Sequence, residues 1–298
     1  MRHIGGADIG FAIFVKKGKT MKKNITVIMG GHGGMGKAIA KELGKEMSLV
    51  LADRSKEKLL AVKASLEELG YEVYTYELDI QNEANVKGLA EYAASLGDVK
   101  RVIQTAGVSP TDTDAETVIK VNALGTLYAT NAFYEVMAED SVMINFASVA
   151  AYTMEMSDEW KDVFEQWDSP EFYAKMREQV EPFSFDEFFM AGTAYALSKR
   201  FVIYYTQKNV MRFAAKGCRL LSVSPGSYLT PMHQKLLDNQ PETAEDQLEL
   251  IPCKRWGHPY EIAALITFLC SRGAAYIAGV DILADAGQIA NTFVEQIQ

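Results

Sequence analysis

The sequence predicts an α/β fold: a doubly wound parallel sheet with helices on both faces, in a single domain. Three observations carry this expectation. Short, apolar, β-branched stretches alternate with helical ones along the first half of the chain. The first of them runs directly into a glycine-rich turn. The chain has 298 residues and 48% apolar composition, enough for one large core or two smaller ones, and Gly and Pro are spread along it rather than gathered into a linker. Repeated alternation of this kind gives a sheet buried on both sides, with ligands at the carboxyl ends of its strands.

Ile25-Thr-Val-Ile-Met29 reads as a buried strand, Gly30-Gly-His-Gly-Gly-Met-Gly36 as a tight turn, and Lys37-Ala-Ile-Ala-Lys-Glu-Leu43 as a helix. This is the setting a dinucleotide pyrophosphate requires. Glycines permit positive φ and close backbone approach, and a helix N-terminus offers unpaired N–H groups to phosphates. A turn that only connects the two elements is the alternative. The next strand, Ser48-Leu-Val-Leu-Ala52, ends at Asp53, whose carboxylate can accept bonds from ribose hydroxyls and would repel a 2′-phosphate. NAD is therefore favoured over NADP. Arg54 tempers this, since a guanidinium can cover the adenine or pair with a phosphate. Asp53 could instead cap the helix starting near Ser55. Further strands are expected at 71–78, ending at Asp79-Ile80, at 101–104, ending at Thr105-Ala106-Gly107, and at 142–147, ending at Ser148. Helices are expected at about 55–69, 83–96 and 115–139.

Tyr195 and Lys199 stand four residues apart, on one face of a helix. A nearby ammonium favours the phenolate, which makes the pair a candidate acid and base for carbonyl chemistry. Ser148 could join Tyr195 in holding a developing oxyanion, and Asn122 could secure a water leading out from Lys199. The plainer readings are a solvated helix face for the pair, a local backbone bond for Asn122 and a helix cap for Ser148.

Taken in order, these motifs resemble the short-chain dehydrogenase/reductase family over nearly everything from Lys23 to Gly287. The resemblance implies a Rossmann-like fold. It also implies cofactor contacts from Gly30, His32, Gly34, Met35 and Gly36 in the turn, with Met29 where the family has threonine, and from Asp53, Arg54, Asp79 and Ile80. The family's Asn-Asn-Ala-Gly appears as Gln104-Thr105-Ala106-Gly107, so Ala106 and Gly107 carry over. Its catalytic asparagine, serine, tyrosine and lysine fall on Asn122, Ser148, Tyr195 and Lys199, with Lys199 lowering the tyrosine pKa and binding nicotinamide ribose. Ser224-Pro225-Gly226-Ser227-Tyr228-Leu229-Thr230-Pro231 is similar to the loop that passes the nicotinamide, which implies contacts from Pro225, Gly226 and Thr230, the last to the carboxamide. Tyr276–Gly279 and Asp285–Gly287 resemble the approach to and exit from the last strand.

One departure is large. The family's serine and tyrosine usually lie about a dozen residues apart, whereas Ser148 and Tyr195 differ by 47 positions, an insertion of about 34 residues. Tyr152 is nearer the serine, but Met156 stands where its lysine should be. The helical insertion, 152–190, is rich in aromatics: Trp160, Phe164 and Trp167 suggest one amphipathic helix, and Phe172, Tyr173 and Met176 a second after Pro170. Its aromatics either dock the segment on the domain or wall an apolar pocket. Insertions here also occur in monomeric carbonyl reductases of the family, so a monomer stands beside the usual homo-oligomer.

The expected activity is hydride transfer between NAD(H) and a small-molecule secondary alcohol or ketone, with a steroid or bile-acid-like substrate first and hydroxysteroid dehydrogenase chemistry implied. An NADP-dependent carbonyl reductase and a non-catalytic NAD-binding sensor are the alternatives. A formal charge of -9 argues against nonspecific nucleic-acid binding and anionic membranes. Three unpaired-looking cysteines suggest a reducing, cytoplasmic setting, and four scattered histidines suggest no metal site. No stretch is long and apolar enough to span a membrane. Residues 1–20 read as an N-terminal extension, 21–298 as the catalytic domain, and 227–250 as a substrate lid.

Overall fold

The computed structural model describes residues 22–111, 113–239 and 241–294, so the expected extension at 1–20 lies outside the described residues. Seven strands form one sheet: β1 (Asn24–Met29), β2 (Ser48–Asp53), β3 (Val73–Glu77), β4 (Asp98–Gln104), β5 (Met137–Phe146), β6 (Cys218–Pro225) and β7 (Asp281–Ala284). Their order is β3-β2-β1-β4-β5-β6-β7, and every neighbouring pair is parallel. Between the first four strands run α1 (Gly34–Leu43), α2 (Lys56–Glu67) and α3 (Glu83–Leu96). The later helices are α4 (Ala115–Val118), α5 (Gly125–Val136), α6 (Asp158–Phe164), α7 (Phe172–Glu178), α8 (Glu187–Lys208), α9 (Val210–Ala214), α10 (Pro231–Asn239), α11 (Pro241–Leu250), α12 (Pro259–Leu269) and α13 (Gln288–Val294).

Alternate residues of each strand face opposite layers, which is why the strands read as unbroken apolar runs. Val27 and Met29 of β1 pack with Val86 and Leu89 of α3 and Phe133 of α5. Ile28, between them, packs with Ile39 of α1 and Ile262 and Ile266 of α12. Because β1 lies between β2 and β4, the strand order reverses there and leaves a crevice beyond the carboxyl ends of β1 and β4.

Three local expectations change. Ser55, not Asp53, caps α2, its hydroxyl accepting from the Lys58 N–H. The helix expected at 115–139 is interrupted by a π-helical turn at Ile119–Leu124 and stops at Val136. Met137 then opens β5, because pairing with Val99 buries its side chain.

Part of the segment at 152–190 docks on the domain, one of its two readings. Ser157 caps α6 by accepting from the Trp160 N–H, and Trp160 and Phe164 of α6 pack with Phe172 and Met176 of α7 against Leu197, Phe201 and Tyr205 of α8. The Phe164 and Phe172 rings lie 5.3 Å and 4.9 Å from the Phe201 ring. Trp167 lies outside the helix, in the following turn, with its ring edge on Tyr205. Phe185, Phe188 and Phe189 do not dock: they remain 77%, 48% and 59% exposed.

Candidate active site

At the crevice, Gly30 has φ +82, and a Cβ there would stand 2.5 Å from the Thr105 hydroxyl oxygen. A Cβ on Gly36 would stand 2.1 Å from the Gly30 carbonyl oxygen. The start of α1 thus rests directly on the turn, with no room for side chains. Gly33, which caps α1, has no side chain to satisfy the first-turn N–H groups of Gly34, Met35 and Gly36. Such a cradle of donors fits a pyrophosphate. The Met35 side chain leans on the α1 and α12 layer and leaves only its backbone to the cradle.

Two departures from the family motif touch each other here. Thr105 donates to the Met29 carbonyl from both its N–H, at 3.0 Å, and its hydroxyl, at 2.7 Å. Gln104, buried, clamps Ala106 by donating to its carbonyl at 3.1 Å and accepting from its N–H at 3.0 Å. Sequence reasoning gave neither residue a role; the only signal was that both replace asparagine.

Asp53 ends β2 at the crevice and is tied to the glycine turn. Its Oδ2 lies 2.7 Å from His32 Nδ1 and accepts from the His32 N–H at 3.3 Å, while Oδ1 accepts from the Arg54 N–H. The Arg54 side chain is exposed beside it. Asp79 is exposed beyond β3, accepting from the Gln81 N–H, and Ile80 is buried against Gly125. The Ile80 side chain therefore belongs to the core. Gly226, following Pro225, donates to the Ala284 carbonyl, and a Cβ on it would meet Asp285 Cα at 2.8 Å. Thr230 and Pro231 lie across Gly34, where an added Cβ would be 2.9 Å from both residues. Thr230 accepts from the His233 N–H and so caps α10. It stands beside the glycine turn, at the start of α1.

The reacting end assembles around α8. The Ser148 side chain adjoins the Tyr195 phenol, and Lys199 Nζ lies 5.7 Å from the centre of the Tyr195 ring and donates to the Phe146 carbonyl at 2.9 Å. Ser148 also accepts from the Ala150 N–H, so it caps the turn after β5 as well as meeting the phenol. The π turn aims Asn122 at the loop after β4: its amide accepts from the Val108 N–H at 3.0 Å and donates to the Val108 carbonyl at 3.1 Å. Its bonds are not to its own helix. Gly107 draws the two sides together, since a Cβ there would be 3.0 Å from Asn122 Oδ1 and 3.4 Å from Lys199 Nζ. Tyr152 is engaged elsewhere, donating to Asp281 at 2.6 Å.

Burial pushes the Lys199 ammonium down to about 8. Burial also raises the Tyr195 phenol above its usual range, opposed by the neighbouring Ser148 hydroxyl. Desolvation therefore sets the direction for both members of the pair.

Residues 24–158 match the short chain dehydrogenase family, and residues 186–288 match the family described as Enoyl-(Acyl carrier protein) reductase. Short-chain dehydrogenase/reductase bsc3 of Alternaria brassicicola is 30% identical over 275 residues, covering 89% of this chain and 96% of that protein. Levodione reductase of Leifsonia aquatica is 27% identical over 285 residues, covering 89% and 94%. Among solved structures, a short-chain dehydrogenase/reductase of the glucose/ribitol dehydrogenase type from Brucella melitensis superposes with a TM-score of 0.70 at 26% identity, covering 90% of this chain and 97% of that one. The fold, the crevice and these matches agree: the chain belongs to the short-chain dehydrogenase/reductase family.

Proposed function

We propose that the chain interconverts a secondary alcohol and a ketone with NAD(H), Tyr195 moving the proton at the substrate oxygen. The observation that carries this reading is the gathering of Tyr195, buried Lys199 and Asn122 around Gly107, with Ser148 beside the phenol, at the crevice that the glycine turn also lines. Relatives in this family are oxidoreductases of alcohols and ketones, levodione reductase and a diacetyl reductase among them. When bound, the nicotinamide supplies or accepts the hydride. In reduction Tyr195 gives its hydroxyl proton to the new alkoxide; in oxidation it takes the alcohol proton. Ser148 holds the same oxygen in line, and Asn122 steadies the Val108 backbone beside Lys199. A panel of ketones and alcohols followed by NADH absorbance tests the reading, and binding of NADH without turnover of any member would favour a sensor.

The preference for NAD over NADP rests on Asp53, whose Oδ2 meets the His32 N–H and ring while Oδ1 accepts only the Arg54 N–H and keeps a lone pair for a ribose hydroxyl. Exposed Arg54 supports the opposing NADPH reading. Asp53→Ala is expected to narrow the ratio of NADPH to NADH dissociation constants by about tenfold, the worth of one charged hydrogen bond. Side-by-side titrations of both cofactors check it. An unchanged ratio would mean that Asp53 serves only to hold His32, and tighter NADPH binding by the unaltered protein would reverse the cofactor assignment.

For the substrate we favour a bulky apolar alcohol or ketone of the steroid or bile-acid kind, supported by the exposed aromatics at the start of α8. Docking of α6 and α7 on α8 supports a monomer, with sedimentation velocity as the check.

A further inference from the structure

α8 presents Phe188, Gly192, Tyr195 and Lys199 at intervals of four, three and four residues, one stripe along a single face. Two members of that stripe, Tyr195 and Lys199, face the reacting crevice. Gly192 is the next position outward, and a Cβ built on it meets nothing within 4 Å.

Other helical glycines are held by their neighbours. A Cβ would strike the Gly30 carbonyl oxygen at Gly36, the Tyr76 hydroxyl oxygen at 2.6 Å at Gly88, and Ile80 at 2.9 Å at Gly125. Gly192 has no such neighbour. Glycine weakens a helix interior relative to alanine, so a glycine that no protein atom requires leaves bare backbone for something that is not protein. Farther along the stripe, Phe188 is 48% exposed and meets the Phe189 ring edge-on at 6.5 Å, and the Phe185 ring lies tilted against Phe189 at 6.0 Å. These rings leave apolar surface open where Trp160 and Phe164 of the same segment are buried.

From this juxtaposition we infer that Gly192 and Phe188 are specificity-determining residues. The body of a flat, rigid, multi-ring ketone or alcohol lies on the bare backbone at Gly192 and ends against Phe188. At 1.5 Å of rise per residue, Gly192 is about 4.5 Å and Phe188 about 10 Å along the helix axis from Tyr195. That span suits a fused-ring skeleton with its oxygen at one end and is too long for a diketone of four carbons. The inference rests on the reading of Tyr195 as the group that meets the substrate oxygen.

The test compares an androstane ketone with diacetyl, reading turnover by NADH absorbance and binding by quenching of protein fluorescence. Gly192→Leu is expected to lower kcat/KM for the androstane ketone by about thirtyfold and that for diacetyl far less, because the leucine occupies the ring shelf. Phe188→Ala is expected to raise KM for the androstane ketone about fivefold. Gly192→Ala is expected to raise Tm by about 2 °C, the gain of a helix former in open space. A fall in Tm would show that the position is packed after all, and would overturn the inference. Equal losses for both ketones in Gly192→Leu, no loss for either, or an unaltered protein that neither binds nor reduces the androstane ketone would also overturn it. If the androstane ketone binds in a Gly192-dependent way but neither ketone is ever turned over, the shelf stands and the oxidoreductase reading falls. If diacetyl is reduced and Gly192→Leu leaves the androstane ketone unaffected, the reverse holds.

Discussion

Tyr195→Phe is expected to lose about a thousandfold in kcat while NADH affinity stays within about twofold, since removing a positioned proton donor costs two to four orders of magnitude. The substitution deletes one oxygen and leaves the ring, so packing on α8 is retained. Ser148 keeps the Ala150 N–H. Rapid-mixing kinetics and a cofactor titration measure the two quantities separately, and full turnover in the variant would eliminate Tyr195 as the donor. The direction of pH dependence follows from the same group. Burial raises the Tyr195 phenol, so it keeps its proton at neutral pH, where reduction uses it. Oxidation needs the phenolate, so kcat/KM for an alcohol is expected to climb as pH rises above neutrality while kcat/KM for a ketone does not. Lys199, pushed down to about 8, sheds its charge over part of that range, so the midpoint observed belongs to the pair and not to either residue. An oxidation rate flat across the alkaline range would contradict the assignment.

Gly36→Ala is expected to weaken NADH binding by more than about a hundredfold and to destabilise the fold by about 3 kcal/mol. The added methyl would sit 2.1 Å from the Gly30 carbonyl oxygen. That oxygen is backbone in a turn that Thr105 already wedges from the other side, so relief requires moving α1 or the turn, and either motion opens the donor cradle. Gly33→Ala is the control: its methyl would lie 3.2 Å from the same oxygen, and a shift of a few tenths of an ångström accommodates it. Calorimetric titration and denaturant melts of the two variants should separate clearly. Equal, mild effects would show that the turn is looser than its geometry.

The candidate site was legible where its residues lie at the ends of strands. Gly30, Asp53, Gly107 and Ser148 each follow an apolar run that announces itself locally, and the Tyr195 and Lys199 spacing survives on any helix. What was not legible depends on partners far along the chain. Met137 is strand because Val99 pairs with it. Tyr152 is engaged by Asp281, 129 positions away. The π turn that aims Asn122 is a small widening of a helix, invisible in an apolar period. Trp160 and Phe188 are alike in composition and differ only in what lies opposite: Phe201 and its neighbours take up the first, and open space adjoins the second. Thr230 matched a loop motif, yet its position was set by Gly34, which offers no side chain to keep it away.

The crossover between β5 and β6 runs from residue 147 to 217, 71 residues. Closing a chain of that length rather than one about half as long costs only about 0.6 kcal/mol of additional loop entropy, because the penalty grows with the logarithm of length. Burying a single phenylalanine of the kind found at Phe164 or Phe172 returns about 2 kcal/mol. Extra chain in this crossover is therefore thermodynamically cheap, provided that it carries its own apolar anchors. A version without them would still pair β5 with β6, but it would leave Leu197, Phe201 and Tyr205 facing water, and α8 would become an adhesive surface. In this fold, the length of one connection can decide whether the helix that bears Tyr195 and Lys199 is covered by its own chain or by a neighbour's.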